Sequence, residues 1–259
     1  MSKDCEDEVM DFLHYYSIDN PSIQPFQMFS IHHLILLFTV VLIIGLGLYS
    51  LKNCQKKKLH LIEKIIATSL IIGEQLYTIW IMFVCPYPIY TEILPLHLCS
   101  ICFYLSAVAI FLDNEKLRKF IAVNGLFGGI IAMCYPANIS GIFPTLSYRV
   151  IYFYISHTMI VFISLLQLKQ ITCLKIKDVR FHMTLISIFL TLAIFINYFL
   201  HTNYLFVGFP STIGFIQIVY NIVGLWLYLP TAIVIFTMIE IILILILKKV
   251  QKVLIKDIT

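Results

Sequence analysis

The chain has 259 residues, of which 60% are hydrophobic and only 12% charged. An ordinary soluble domain carries about 25% charged residues, so this composition excludes a water-soluble globule and points to an integral membrane protein. The net charge of +4 is topogenic in origin and gives no reason to expect a nucleic-acid partner; the expected partner is membrane lipid, with no protein partner marked.

The first 28 residues read as an acidic tail, with Asp4, Glu6, Asp7, Glu8, Asp11 and Asp19 and no apolar h-region of a signal peptide. A span needs about 20 apolar residues. Seven stretches qualify: about 30–51, 61–84, 94–112, 118–135, 149–168, 182–200 and 227–247. The expected fold is therefore all-α, a polytopic bundle of seven transmembrane helices. Its transmembrane domain covers 29–248, and 249–259 forms a basic tail.

Sixteen of the eighteen Lys and Arg residues fall in four clusters. These are Lys52, Lys56, Lys57, Lys58 and Lys64; Lys116, Arg118 and Lys119; Lys169, Lys175, Lys177 and Arg180; and Lys248, Lys249, Lys252 and Lys256. Two apolar stretches separate each cluster from the next. Cationic loops stay cytoplasmic, which sets the N-terminus outside and the C-terminus in the cytoplasm of a multi-pass cell-membrane protein. The loops expected outside are 85–93, 136–148 and 201–226. They hold Glu92 and no cation, and Arg149 lies just past one of them. A short interfacial helix near 211–222, followed by an anchor at Trp226 and Tyr228, fits the apolar last loop better than an eighth span.

Ionisable residues inside a span are functional candidates by default. With this orientation, His33, Glu74, His97, His157 and Asn197 all come from the outer half of their spans, and Asn203 follows in the adjoining loop. Helical spacing groups them further. His97, Ser100 and Tyr104 share a face of the third span, Tyr154, His157 and Ser164 a face of the fifth, and Glu74, Tyr77 and Thr78 a face of the second. Three polar stripes of this kind can line one apolar pocket. The candidate chemical groups are His157, His97, Glu74, Cys99 and Ser100, with Ser156 a further hydroxyl. His33, Tyr104, Tyr154, Asn197 and Asn203 are expected to line the pocket. Cys99 and Cys102 have the spacing of half a zinc site but no second pair, and no HExxH motif occurs, so neither a metal nor another cofactor is expected. His14, His60 and His182 fall in tails or at loop edges and take no role. Glu240, in the middle of the last span, needs a partner from another helix.

Four strings carry a family resemblance: Phe29-Ser30-Ile31-His32-His33-Leu34, Leu94-Pro95-Leu96-His97-Leu98-Cys99, Tyr152-Phe153-Tyr154-Ile155-Ser156-His157, and Asn197 followed by Asn203-Tyr204-Leu205-Phe206. Together, from about residue 26 to 248, they resemble the YwaF-type family of bacterial integral membrane proteins. That family is in turn similar to the eukaryotic transmembrane protein 164 group, which is linked to acyl transfer between phospholipids. The resemblance implies a membrane bundle and a lipid-acting enzyme in which His97 and His157 keep their places. The group's Pro-Cys-His string is Pro95-Leu96-His97 here, so Leu96 stands where the nucleophilic thiol would be. Two readings follow: a lipid-acting enzyme, by acyl transfer or hydrolysis, with His157 as general base; or a transporter or ligand-binding protein in which Glu74 meets a cationic substrate.

Overall fold

A computed structural model describes residues 12–14, 25–84, 93–207 and 214–256. Among these residues the elements are helical: α1 Ile31–Ser50, α2 Lys56–Val84, α3 Leu98–Phe111, α4 Glu115–Cys134, α5 Tyr148–Gln170, α6 Asp178–Leu200 and α7 Gly214–Lys256. Six of them contain a stretch long and apolar enough to cross a membrane. The chain forms two compact units. Unit 1 is Met1–Ile93 with Phe127–Ile163, and unit 2 is Leu94–Leu126 with Ser164–Thr259.

The third expected span falls short of a full crossing. Its helix has 14 residues, about 21 Å at 1.5 Å per residue, against about 30 Å of hydrocarbon. Pro95 explains the late start, because it disfavours helix at the residue before it and offers no amide hydrogen. The Leu96 amide instead bonds the Leu94 carbonyl at 2.8 Å, and His97 becomes the N-cap. His97 therefore precedes the helical face that its spacing to Ser100 and Tyr104 suggests.

Two irregularities interrupt the long helices. In α4, residues Ile121–Gly125 form a π-helical turn. In α7, Gly224 has φ 71° and ψ 175°, a region essentially restricted to glycine. The helical residues before that kink overlap the short helix expected near 211–222. Pro230 lies inside α7 and removes one backbone bond six residues further on. The side chain of Trp226 and residues 208–213 lie outside the described set.

Three cation-bearing segments meet at one end of unit 2. Arg118 Nη1 donates to Gln167 Oε1 at 2.8 Å and pairs with Asp113 at 3.0 Å. Lys119 pairs with Asp178 at 3.3 Å. Glu115 accepts from the Thr172 amide and hydroxyl. Gln251 donates to the carbonyls of Leu168, Ile171 and Thr172 and accepts from the Leu174 amide. The loops that carry the second and third clusters and the end of α7 that carries the fourth are thus tied together by side chains.

Candidate functional site

The candidate residues divide between the units. His33, Glu74, Tyr154 and His157 fall in unit 1, and His97, Cys99, Ser100, Tyr104, Asn197 and Asn203 in unit 2. Ser164, third member of the expected α5 stripe, belongs to unit 2 and donates to the Ile121 carbonyl at 2.9 Å.

In unit 1, His33 is fully buried and both ring nitrogens are engaged. Nδ1 accepts from the Phe29 amide at 2.9 Å, so Nε2 carries the proton and donates to the Met133 carbonyl at 2.9 Å. The Tyr154 hydroxyl donates to the same carbonyl at 3.4 Å. Met133 lies in the last turn of α4, where carbonyls lack helical partners, and Pro136 just beyond contributes no amide hydrogen. His33 and Tyr154 thus cap a helix end, with Phe26 edge-on to both rings.

His157 is buried, and its Nδ1 donates to the Phe153 carbonyl one turn back at 2.7 Å. This bond leaves Nε2 as the basic nitrogen of a neutral ring. Ser156 is on the wrong side to be activated: its hydroxyl donates to the same Phe153 carbonyl at 3.1 Å and lies 3.4 Å from Nδ1. Close packing holds the helix, since a Cβ on Gly129 would stand 2.6 Å from Val161 Cγ2 and 3.4 Å from the His157 carbonyl.

Glu74 is buried beside the Tyr152 hydroxyl and within electrostatic reach of Arg149. The Tyr152 ring stacks on Tyr77 at 5.0 Å, and the Arg149 guanidinium lies 4.8 Å from the Tyr77 ring centre. Arg149, which lies outside the four cationic clusters, therefore faces a carboxylate and an aromatic ring.

In unit 2, His97 is half-buried at the start of α3 and its side chain does not cap the helix. The ring packs on Tyr204 at 5.2 Å and Phe206 at 5.8 Å. Those aromatics come from a turn with three non-glycine residues at positive φ: His201 at 52°, Leu205 at 53° and Phe206 at 59°. Each such residue costs about 1–3 kcal/mol and persists only where its surroundings over-determine it. Asn197 is what holds this turn. Its Oδ1 accepts from the Tyr204 amide at 2.8 Å and the Thr202 hydroxyl at 2.9 Å, and its Nδ2 donates to the Tyr204 carbonyl at 2.9 Å. The Tyr204 hydroxyl accepts from the Leu94 amide at 3.3 Å, and Tyr228 donates to the Phe206 carbonyl at 2.7 Å. Asn197 thus acts through the turn, while Cys99 and Ser100, half-buried in the first turn of α3, follow His97 directly.

His182, expected at a loop edge, lies instead buried within α6. His182, Glu240 and Asn124 are each fully buried. His182 Nδ1 bonds Glu240 Oε1, and Asn124 Nδ2 donates to the same oxygen at 3.2 Å. The signal that could have found them was the lone carboxylate in an apolar span, which demanded a partner. Neither unit brings together three His, Cys, Asp or Glu residues placed to hold a metal ion, among the described residues.

A buried polar network and a half-buried histidine at a helix start, set in long apolar helices, define a multi-pass membrane protein. The TMEM164 family model matches residues 27–248, and the chain belongs to that family. The match is to the transmembrane protein 164 group and not to the YwaF-type family that the four strings resemble. No curated protein and no solved structure matches the chain.

Proposed function

We propose that the protein is a lipid-acting enzyme of the cell membrane that moves acyl groups, by transfer or hydrolysis, at the start of α3. The observation that carries this reading is His97, a half-buried imidazole beside a strained turn that Asn197 pins in place. Strain of this kind concentrates at functional sites. The His97 side chain does not cap α3, and the start of a helix suits a developing oxyanion. His97 acts as general base on an attacking hydroxyl, from water or a lysolipid. The new ester or acid bond forms, the old ester bond breaks, and the proton passes to the departing alkoxide. Leu96 supplies no thiol, so direct attack replaces a covalent intermediate unless Cys99 serves in its place.

The proposed topology has the N-terminus outside and the C-terminus in the cytoplasm. The joining of three cationic segments at one end of unit 2 supports it. A transport reading rests on Glu74. Arg149 already supplies the counter-charge that a cationic substrate would bring, so lipid chemistry stands first.

The test is turnover of mixed-acyl phospholipid and lysophospholipid by the full chain in vesicles. His97→Ala is expected to lower it by about 10²–10⁴-fold, the usual contribution of a positioned general base. Undiminished turnover in His97→Ala overturns the assignment.

A further inference from the structure

Unit 2 contains a second chemical centre, away from the turn that His97 touches in sequence and in contacts. Glu240 is the one Asp, Glu, His, Lys or Arg residue in α7 before Lys248. Its carboxylate meets His182 from the first turns of α6 and Asn124 from the π-helical turn of α4. Phe120 closes the His182 ring edge-on at 5.5 Å. Single π turns within α-helices occur often at functional sites.

Each of the three side chains in this cluster keeps one open polar atom. His182 Nε2, Glu240 Oε2 and Asn124 Oδ1 are buried with no hydrogen-bond partner. A purely structural polar cluster would satisfy such groups, because a buried polar atom left open is destabilising.

Charge decides what the pair can hold. Suppose the only proton shared by the two side chains is the one between Nδ1 and Oε1. The pair then carries a net negative charge in a fully buried site, which desolvation penalises. A second proton, on Nε2 or on Oε2, makes the pair neutral. The pair thus has two states that differ by one proton, and open atoms on which to carry it.

The neighbouring groups leave this role to the pair. From α4, Lys119 is engaged by Asp178 and Arg118 by Asp113 and Gln167. From α6, Asp178 lies one turn before His182, and its side chain is 17% exposed; Arg180 is exposed. From α3, Cys102 is buried within electrostatic range of Glu240. Asp178, four residues before His182, stands at the cationic end of the unit, bonded to Lys119 and to the Lys175 amide.

We propose that His182, Glu240 and Asn124 form a proton-binding site in the interior of unit 2, exchanging a proton with water by way of the Asp178 end. The ligand is the proton itself. The proposal is independent of lipid chemistry at His97.

The experiment is infrared difference spectroscopy of the full chain in lipid vesicles, stepped from about pH 5 to about pH 9, the range in which histidine and its partners commonly titrate. A carboxyl band that changes with pH, moves in D2O and disappears in Glu240→Gln is expected. His182→Gln is expected to abolish its pH response, and Asn124→Ala, which keeps both members of the pair, to displace the band. A wild-type minus Glu240→Gln spectrum without pH dependence overturns the proposal and leaves a static hydrogen bond. If Glu240→Gln does not fold, a wild-type carboxyl response unchanged by both His182→Gln and Asn124→Ala overturns it equally. Lipid turnover by His97→Ala has no bearing on either result.

Discussion

Unit 1 and unit 2 each bury a histidine completely, and they treat it in opposite ways. Unit 1 gives both nitrogens of His33 to the backbone, one to an amide and one to a carbonyl. The ring joins a helix end to the chain before α1. Unit 2 gives His182 one nitrogen's worth of partner, a carboxylate, and leaves the other nitrogen open. The same residue type is tied to the backbone in one unit and to a carboxylate in the other. A polar residue in a membrane is therefore read from its partner: a carbonyl fixes a tautomer, whereas a carboxylate shares a proton.

The largest expected effect tests the carboxylate half of that contrast. Glu240→Leu leaves His182 and Asn124 buried without their acceptor, and a loss of about 3–5 kcal/mol in unfolding free energy is expected. The double variant Glu240→Leu with His182→Leu removes both partners and should recover most of that loss, since an apolar pair replaces a buried ionisable one at little cost. Equal destabilisation in the single and double variants, measured by reversible unfolding in mixed micelles, would break the contrast.

His33→Leu comes next. It leaves the Phe29 amide without its side-chain acceptor and removes one of two donors to the Met133 carbonyl, for about 1–3 kcal/mol. Reversible unfolding in mixed micelles checks it, and an unchanged unfolding free energy would contradict its role as a fastener of the helix end.

Asn197→Leu is expected to cost about 2 kcal/mol, from the Tyr204 amide and carbonyl that lose their partner. Faster amide exchange confined to residues 201–206 would mark the release of the strained turn, and lipid turnover should fall with it. Gly129→Ala pushes a methyl into Val161 and should cost about 1–3 kcal/mol by overpacking. The smallest effect is Lys119→Gln, which removes the charge from a mostly buried pair with Asp178 but keeps an amide that can donate to it, and should cost about 1 kcal/mol.

Much of the fold was legible before any coordinates. Apolar length marked where the long helices run, because hydrocarbon forces the backbone to satisfy itself within a helix. It overestimated α3, where Pro95 and the N-cap at His97 delay the helix although the residues before it are just as apolar. It also missed that helix α7 begins upstream of 227, since apolar content does not report a kink at Gly224. The candidate site was legible by residue type more than by company. His97, Cys99 and Ser100 do share the start of α3, but His33, Tyr154 and Asn197 turned out to be tied to backbone groups. His182 was passed over because a histidine near a loop edge looks solvated in one dimension.

By itself the sequence determined the class of protein, the positions of its apolar helices and the clustering of its cations. These depend on local composition, which water and lipid act on residue by residue. Tertiary structure alone decided which buried polar group meets which. The pairing of Glu240 with His182 joins residues 58 positions apart, and the Asn124 contact joins residues 116 apart. No periodicity encodes such distances, because they follow from how helices pack and from the need of each buried charge to find a partner.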